Sequence, residues 1–379
     1  GITVTDIGDS TRCMVCHQGR ASSVQVNAKI EELGLEENAP SEELGFINIH
    51  YYAAAASLYG SEVQGGYQYE GKSYQPRYDH IEGYQTCNDC HNPHTLEVKV
   101  AECATCHEDV ESAEDLEFIR MAGSMIDYDG DEDTFEGIKG EIETLQEMLY
   151  EAMLIYSAEV AGTPMVYGES AYPYFFVDTN ENGEADEDEA VFPNAYKAFT
   201  PALLKASYNY QVSLKDTGGY AHNPKYHIEL LYDSIEALNV ELEEGVDLSF
   251  ANRNDPGHFD ATAAAFRHWD EDGMVPGSCV KCHTSEGLGM ALANNGATIA
   301  LEPSSSLACS TCHDAIPEFT VYELAEVTFP SGAKVSFGEG DTNNMCLNCH
   351  QGRESTVSVN NAIRGAGVGD DEISDKLTF

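Results

Sequence analysis

The chain spells Cys-x-x-Cys-His six times, at Cys13/Cys16/His17, Cys87/Cys90/His91, Cys103/Cys106/His107, Cys279/Cys282/His283, Cys309/Cys312/His313 and Cys346/Cys349/His350, which uses all 12 cysteines. Two thiols followed directly by an imidazole suit covalent haem attachment: the sulfurs add across the vinyl groups and the His sits beneath the iron. Zinc knuckles would pair the motifs in twos and give no reason for the trailing His. Redox dithiols are usually single, and disulfide frameworks belong to small secreted chains poor in core. Six c-type haems are therefore expected. With 379 residues, each haem has roughly 63 to itself, so much of the apolar interior should be porphyrin. The expected fold is mostly α with much irregular loop and a few short β-hairpins, templated by haem and lacking a large sheet.

Lys+Arg number 19 against 66 Asp+Glu, a formal net charge of -47. Such a surface repels nucleic acid and anionic lipid. It also repels itself, unless salt screens it or bound cations neutralise part of it. No apolar run is long enough for a transmembrane segment. Because thioether attachment of haem follows export, removal of a signal peptide is expected. The predicted location is extracellular or at the cell surface, with the periplasm as the alternative.

Three motifs lie in 1–110 and three beyond 275, with a cysteine-free stretch between. This predicts an N-terminal three-haem lobe over 1–110, an acidic, helical spacer over 111–215 and a C-terminal three-haem lobe over 216–379. Ile138, Ile142, Leu145, Leu149 and Leu154 fall at helical spacing, as do Ile228, Leu231, Ile235 and Leu238, the latter opened by Asn223 as cap and Pro224 in the first turn. Hairpins are expected at Gly66 to Tyr74 and at Val327 to Phe337. CMVCHQGRASSVQVN from Cys13 agrees with CLNCHQGRESTVSVN from Cys346 at ten of fifteen positions. Duplicated haem packing and a shared role as exposed terminal haems both account for this repeat. In the second case Arg20 and Arg353 would pair with propionates.

An iron with one protein ligand can bind small molecules, whereas one with two is closed and passes electrons only. Of 13 histidines six are proximal, leaving His50, His80, His94, His222, His227, His258 and His268 for six distal positions. His94 is too near His91 to reach the far face of the same haem and should serve an adjacent one. His50 falls in the helix-like run NIHYYAAAASLY, which would lay it on a buried face. Between His222 and His227, His222 is favoured because it precedes the helix cap. The distal set is thus His50, His80, His94, His222, His258 and His268, with His227 spare. Methionine, of which there are nine, is the other available ligand.

Residues 178–189, DTNENGEADEDE, fit a calcium loop. Asp178, Asn180, Asn182 and Asp186 would give oxygens, Glu184 its carbonyl and Glu189 a bidentate carboxylate, with Gly183 at the sharp turn. No helix is expected to enter from YPYFFV. A second cluster, Asp127, Asp129, Asp131 and Asp133, has the early spacing but lacks the Gly at the sixth place and the Glu at the twelfth.

With its haem motifs and the strings NIHYYAAAASLYG, CNDCHNPHTLEVKV, YAHNPKY, GHFDATAAAFRHWDEDG and DYDGDED, the chain resembles exported multihaem c-type cytochromes of metal- and sulfur-metabolising prokaryotes. The resemblance implies bis-His iron throughout. It also implies assembly of hexahaem members into extracellular conducting filaments, with a His donated between subunits. Electron transfer to other redox proteins or extracellular acceptors in anaerobic respiration is the leading expectation, as a homopolymer joined through terminal haems. The alternatives are a periplasmic shuttle, or a reductase with one open iron acting on a small nitrogen or sulfur oxyanion.

Overall fold

The structure is a computed structural model that describes residues 10–78, 80–81, 83–120, 126–255, 257–259, 264–270, 272–304, 306–315, 320–338, 340–369 and 371–377. Two compact units divide at Asp255/Pro256, and each contains three haem motifs. The segment 111–255 belongs to the first unit with 1–110. The fold is helix-rich, and among the described residues its sheets are three antiparallel strand pairs, as the sequence predicts.

In the first unit, α1 (Thr11–His17), α2 (Ser23–Leu33), α3 (Ala54–Tyr59), α4 (Cys87–Cys90) and α5 (Val100–Cys103) are short, while α6 (Ile138–Glu159), α7 (Pro201–Lys215) and α9 (Pro224–Asn239) are long. The single turn α8 (Gly219–His222) joins the last two. β1 (Met165–Tyr167) pairs with β2 (Phe175–Val177), so a strand precedes the 178–189 loop and no helix enters it.

Both helical periodicities are realised. Leu145, Leu149, Met153 and Tyr156 of α6 are buried against Leu203, Leu204, Tyr208 and Val212 of α7 and Tyr226, Leu231, Ile235 and Leu238 of α9. The starts are capped as the residues dictate: Thr200 Oγ accepts the Leu203 N–H at 3.0 Å before Pro201, and Asn223 Oδ1 accepts that of Tyr226 at 3.2 Å before Pro224. This stretch supplies a side-chain core of its own beside the haem motifs. The reason is that three amphipathic helices close on one another.

No strand pair forms between Gly66 and Tyr74. Side chains have taken the backbone groups that a ladder would need: Asn209 bonds both the N–H (2.6 Å) and C=O (3.0 Å) of Tyr67, Ser23 Oγ accepts from Gln68 N at 3.1 Å, and Tyr74 Oη accepts from Tyr69 N at 3.0 Å. His50 is likewise not on a buried helix face. It is exposed, in the left-handed region at φ 84°, and the helix begins only at Ala54. Its backbone N–H is held by Asn48 Oδ1 at 2.7 Å, a local bond that competes with helix formation.

Buried acids are paired inside this core. Asp233 receives Lys72 at 2.7 Å and Arg253 through Nε (2.8 Å) and Nη2 (2.9 Å). Glu229 on the same helix accepts the Gln75 N–H at 2.6 Å on Oε2, and burial pushes its carboxyl up to about 7. Asp233 pushes it the same way, while Arg253 and Lys225 pull it down. Between pH ~4.5 and ~7 the folded chain keeps a proton that the unfolded chain has released, so this group costs stability as pH rises. Glu229→Gln should keep the Gln75 bond and raise the unfolding free energy at pH 8 by about 2–3 kcal/mol, with little change at pH 4. Equal chemical-denaturation midpoints for both proteins at pH 8 would contradict this.

The second unit comprises α10 (Ala264–Arg267), α11 (Gly277–His283), α12 (Gly287–Ala293), α13 (Cys309–Cys312), α14 (Asn343–His350) and α15 (Thr356–Ala366). Here β3 (His313–Ala315) pairs with β4 (Thr320–Val321), and β5 (Val327–Thr328) with β6 (Lys334–Val335), the second being the hairpin expected near Pro330. Its buried apolar side chains among the described residues are scattered: Phe259, Val275, Val280, Leu288, Ala291, Val327 and Met345.

The sequence repeat is also a structural repeat. Each copy is a motif helix, a glycine turn (Gly19 φ 79°, Gly352 φ 78°), a serine cap (Ser22, Ser355) and a helix ended by a left-handed glycine, Gly34 or Gly367. The copies differ in cover. Val26 on α2 is 0% exposed, whereas its counterpart Val359 on α15 is 40% exposed.

Candidate functional site: paired histidines beside cysteine motifs

Cysteines three apart on a helical turn share a face, and the following His projects one position on. Three motifs lie wholly within helices (α1, α11, α14), and α4 and α13 span the two cysteines of theirs. None of the 12 cysteines is joined in a disulfide, and haem-bound they would stand as thioether sulfurs.

The cysteines differ in local setting. Cys16 lies on α1 but is exposed, because that helix turns no residue into the side-chain core. Cys309 and Cys346 are exposed too, while Cys279 is half-buried with its sulfur 3.6 Å from Ser278 Oγ. Cys106 is half-buried but falls outside a helix, since α5 ends at Cys103. A turn carries the chain on instead: the N–H groups of both Cys106 and His107 bond the Cys103 carbonyl, at 3.1 and 3.0 Å.

Ring-centre distances pair the histidines. His80 stands 6.4 Å from His107, His91 6.4 Å from His222, and His258 5.9 Å from His350. A metal–imidazole nitrogen bond is about 2.0 Å, so two imidazoles gripping one iron from opposite faces have ring centres about 6 Å apart. The residues therefore fit haem iron at three motifs. At a fourth, His268 is close enough to His283 to lower its pKa, after burial, and Trp269 packs on both, 3.7 Å from His268 and 5.2 Å from His283.

The electrostatics favour metal ligation. Burial lowers the pKa of His107, and burial together with the partner imidazole lowers those of His80 and His91, keeping the rings neutral as ligands require. The second ring nitrogens are tied to carbonyls: His17 Nδ1 to Tyr52 O at 2.7 Å, His91 Nδ1 to Leu96 O at 3.4 Å and His268 Nδ1 to Ala264 O at 2.6 Å.

His222 differs. Its Nδ1 lies 2.8 and 2.9 Å from the two oxygens of Asp216, a carboxylate only 4% exposed. Burial alone would lower the His222 pKa, but Asp216 outweighs it and raises it. Burial would raise the Asp216 pKa, but His222 and then His227 hold it far below the usual range. Gly218 and Gly219 make the room: a Cβ on Gly218 would come within 2.7 Å of His222 Cε1, and one on Gly219 within 2.7 Å of His227 Nε2. His227 is fully buried, with Nε2 3.0 Å from Ser57 Oγ and 3.9 Å from Asp216. The Asp216 carboxylate was not singled out in the sequence, although DTGGYAH before a helix cap held the signal.

The thiols show which motifs are neighbours. Cys13 is raised by burial and then by Cys87, and Cys90 is pushed up to about 11 by burial and then by Cys103. In the second unit Cys282 and Cys349 share a hydrogen bond that lowers the first to about 7 and raises the second, while burial and Cys346 raise Cys312. His50 and His94 are exposed. Among the described residues no ring contact joins either of these two to a proximal histidine.

The 178–189 loop turns on its own side chains. Asp178 Oδ2 accepts the Gly183 N–H at 2.8 Å, Asn182 Oδ1 that of Glu184 at 2.8 Å, and Gly183 has φ 77°. Asn180 and Asn182 donate to Asp186 Oδ2 at 2.8 and 3.1 Å. Glu189 Oε1 accepts from Thr179 N (2.7 Å), Thr179 Oγ (2.6 Å) and Asn180 N (3.3 Å), whereas its buried Oε2 has no partner.

Cysteine motifs beside facing imidazoles define a haem-bearing protein. The chain is similar to the C-type polyheme cytochromes OmcB and OmcC of Geobacter sulfurreducens, at 28% and 29% identity over 288 residues. These matches cover 65% of this chain, and 34% and 33% of the relatives, so it spans about a third of their length. No family model and no solved structure matches. The similarity and the motifs together support a multihaem c-type cytochrome. Among the described residues no helix is long and apolar enough to cross a membrane.

Proposed function

We propose that the chain holds six haems, each between two imidazoles, and that it carries electrons outside the cytoplasm without being an enzyme. The observation that carries this reading is the ring-centre spacing of 5.9–6.4 Å in the His80–His107, His91–His222 and His258–His350 pairs. Bound haem supplies one-electron chemistry at iron, and two axial imidazoles leave no face for a substrate. The net charge of -47 also repels the anions that a reductase of nitrogen or sulfur oxyanions would have to admit. The thiol neighbours support an electron path through motifs 13–17, 87–91 and 103–107 in the first unit, and 279–283, 346–350 and 309–313 in the second.

His227 is shut in the core with its Nε2 against Ser57 and Asp216, which leaves His50 and His94 as the remaining candidate ligands. Residues 256–379 contain only His258 and His268 beyond their three proximal histidines, so the His313 iron draws its second ligand from outside that stretch. A second copy of the chain can donate it, and the exposed Val357 and Val359 of α15 suit a contact between copies. These features support an extracellular homopolymer.

The holoprotein should give six haems per chain by pyridine haemochrome and wholly low-spin ferric resonance, and it should not bind carbon monoxide when reduced at neutral pH. A high-spin ferric signal would replace the carrier with an open-iron oxidoreductase. Filaments in electron micrographs that are lost on substituting both His50 and His94 by alanine support the homopolymer. Monomers under all salt and calcium conditions would remove it while leaving electron transfer intact.

A further inference from the structure

The carboxylates at the foot of α6 do not divide as the sequence suggests. Asp133 Oδ1 accepts the N–H of Phe135 at 2.8 Å and of Glu136 at 3.3 Å, so it holds its own turn. Asp127 likewise spends its oxygens on the N–H groups of Gly130 and Glu132. Glu141 Oε2 accepts from Tyr128 N (2.7 Å) and Asp129 N (3.1 Å), and its Oε1 faces Arg120 at 2.6 Å. Asp129, Asp131 and Glu136 each bring an oxygen within 4.8 Å of the others, and although Asp129 Oδ1 and Asp131 Oδ1 accept the N–H groups of Asp131 (3.0 Å) and Asp133 (2.7 Å), each keeps its second oxygen free of those turns. Asp129 is 4% exposed, yet its Oδ2 has no hydrogen-bond partner, and neither has the buried Oε1 of Glu136. Three converging carboxylates, two with bare buried oxygens, are a costly arrangement unless a cation or shared protons compensate them.

We propose that Asp129, Asp131 and Glu136 hold a calcium ion, distinct from any ion in the 178–189 loop and independent of the electron-transfer reading. Calcium fits because it takes several carboxylates in flexible geometry, whereas magnesium keeps most of its water. Arg120 neutralises Glu141 alone, so the cluster keeps an excess of negative charge where the ion would sit. The site would fasten three pieces of the first unit. Its loop rests on the 250–251 backbone, where a Cβ on Gly130 would meet Ala251 N at 2.8 Å, and Asn252 bonds Tyr128 O at 3.0 Å. Its far end enters α6 at Gly137, packed so closely on Glu117 that a Cβ would clash with the Glu117 carbonyl. The segment trailing the third haem motif is thereby anchored to the helical core.

The test uses the haem-loaded chain carrying Asp178→Asn and Glu189→Gln, which disable the other loop. Calcium-free protein is titrated with calcium chloride by calorimetry and equilibrium dialysis. One ion per chain is expected, with a higher melting temperature than in chelator. Adding Glu136→Gln, or Asp131→Asn at the exposed edge, should abolish that ion. Asp129→Asn should also lower the melting temperature in calcium yet raise it in chelator, because a bare buried carboxylate is gone. Unchanged haem absorption and far-ultraviolet circular dichroism establish folding. No calcium bound in the background protein, or binding that survives both Glu136→Gln and Asp131→Asn, overturns the site and leaves shared protons as the compensation.

Discussion

Substituting His222 by alanine should turn one of the chain's haems high-spin and let it bind carbon monoxide when reduced, while His227→Ala leaves every iron low-spin. The two residues lie on either side of the same helix cap, and both bear on Asp216. They differ in where the imidazole leads. His222 reaches His91 at 6.4 Å, a separation that accommodates iron, whereas His227 is shut in the core on Ser57 at 3.0 Å. The His227 variant should lose about 1–3 kcal/mol of stability, the cost of an unpaired buried hydroxyl and a cavity. Carbon monoxide titration measures the contrast directly: one equivalent taken up by the His222 variant and none by the His227 variant. Uptake by neither would dissolve the His91–His222 pairing.

Asp216→Asn should raise the potential of the haem at motif 87–91. A carboxylate on Nδ1 makes an imidazole a stronger donor and places a negative charge near the iron, and both effects stabilise the ferric state. The asparagine oxygen can keep the hydrogen bond, so the loss is mainly the charge. Outer-shell changes of this kind typically shift a site by 10–100-fold, which for one electron is about 60–120 mV. Carbonyl-bound His17 and His268 have no such partner, so their haems should hold their potentials. Spectroelectrochemical titration should therefore move a single component upward. A uniform shift of all components, or none, would mean that Asp216 does not act through His222.

Much of this was readable from residue order. The helices at 138–159 and 224–239 follow from apolar spacing, the second also from its Asn223–Pro224 start, and YPYFFV brings no helix into the 178–189 loop, as its lack of a helical pattern suggests. The preference for His222 over His227 agrees with which of them faces another imidazole. What misled was local pattern without its surroundings. Alanines after Tyr52 read as a helix that would include His50, but Asn48 captures the backbone there. Gly66 to Tyr74 alternates like a hairpin, but Asn209, Ser23 and Tyr74 occupy its backbone groups. Glu136 was passed over because it stands at neither the sixth nor the twelfth place of a calcium loop.

Sequence by itself determined the chemistry of attachment: thiols three apart with an adjoining imidazole form a local unit that needs no tertiary contact to be recognised. It also determined two of the three long helices, because amphipathic period and, for the 224–239 helix, the cap are properties of neighbouring residues. Tertiary structure alone decided which imidazoles face each other, which thiols of different motifs adjoin, and which carboxylates are left bare. Those facts join residues far apart in the chain, His91 with His222 and Cys282 with Cys349, and distances of that kind are set by how the helices pack.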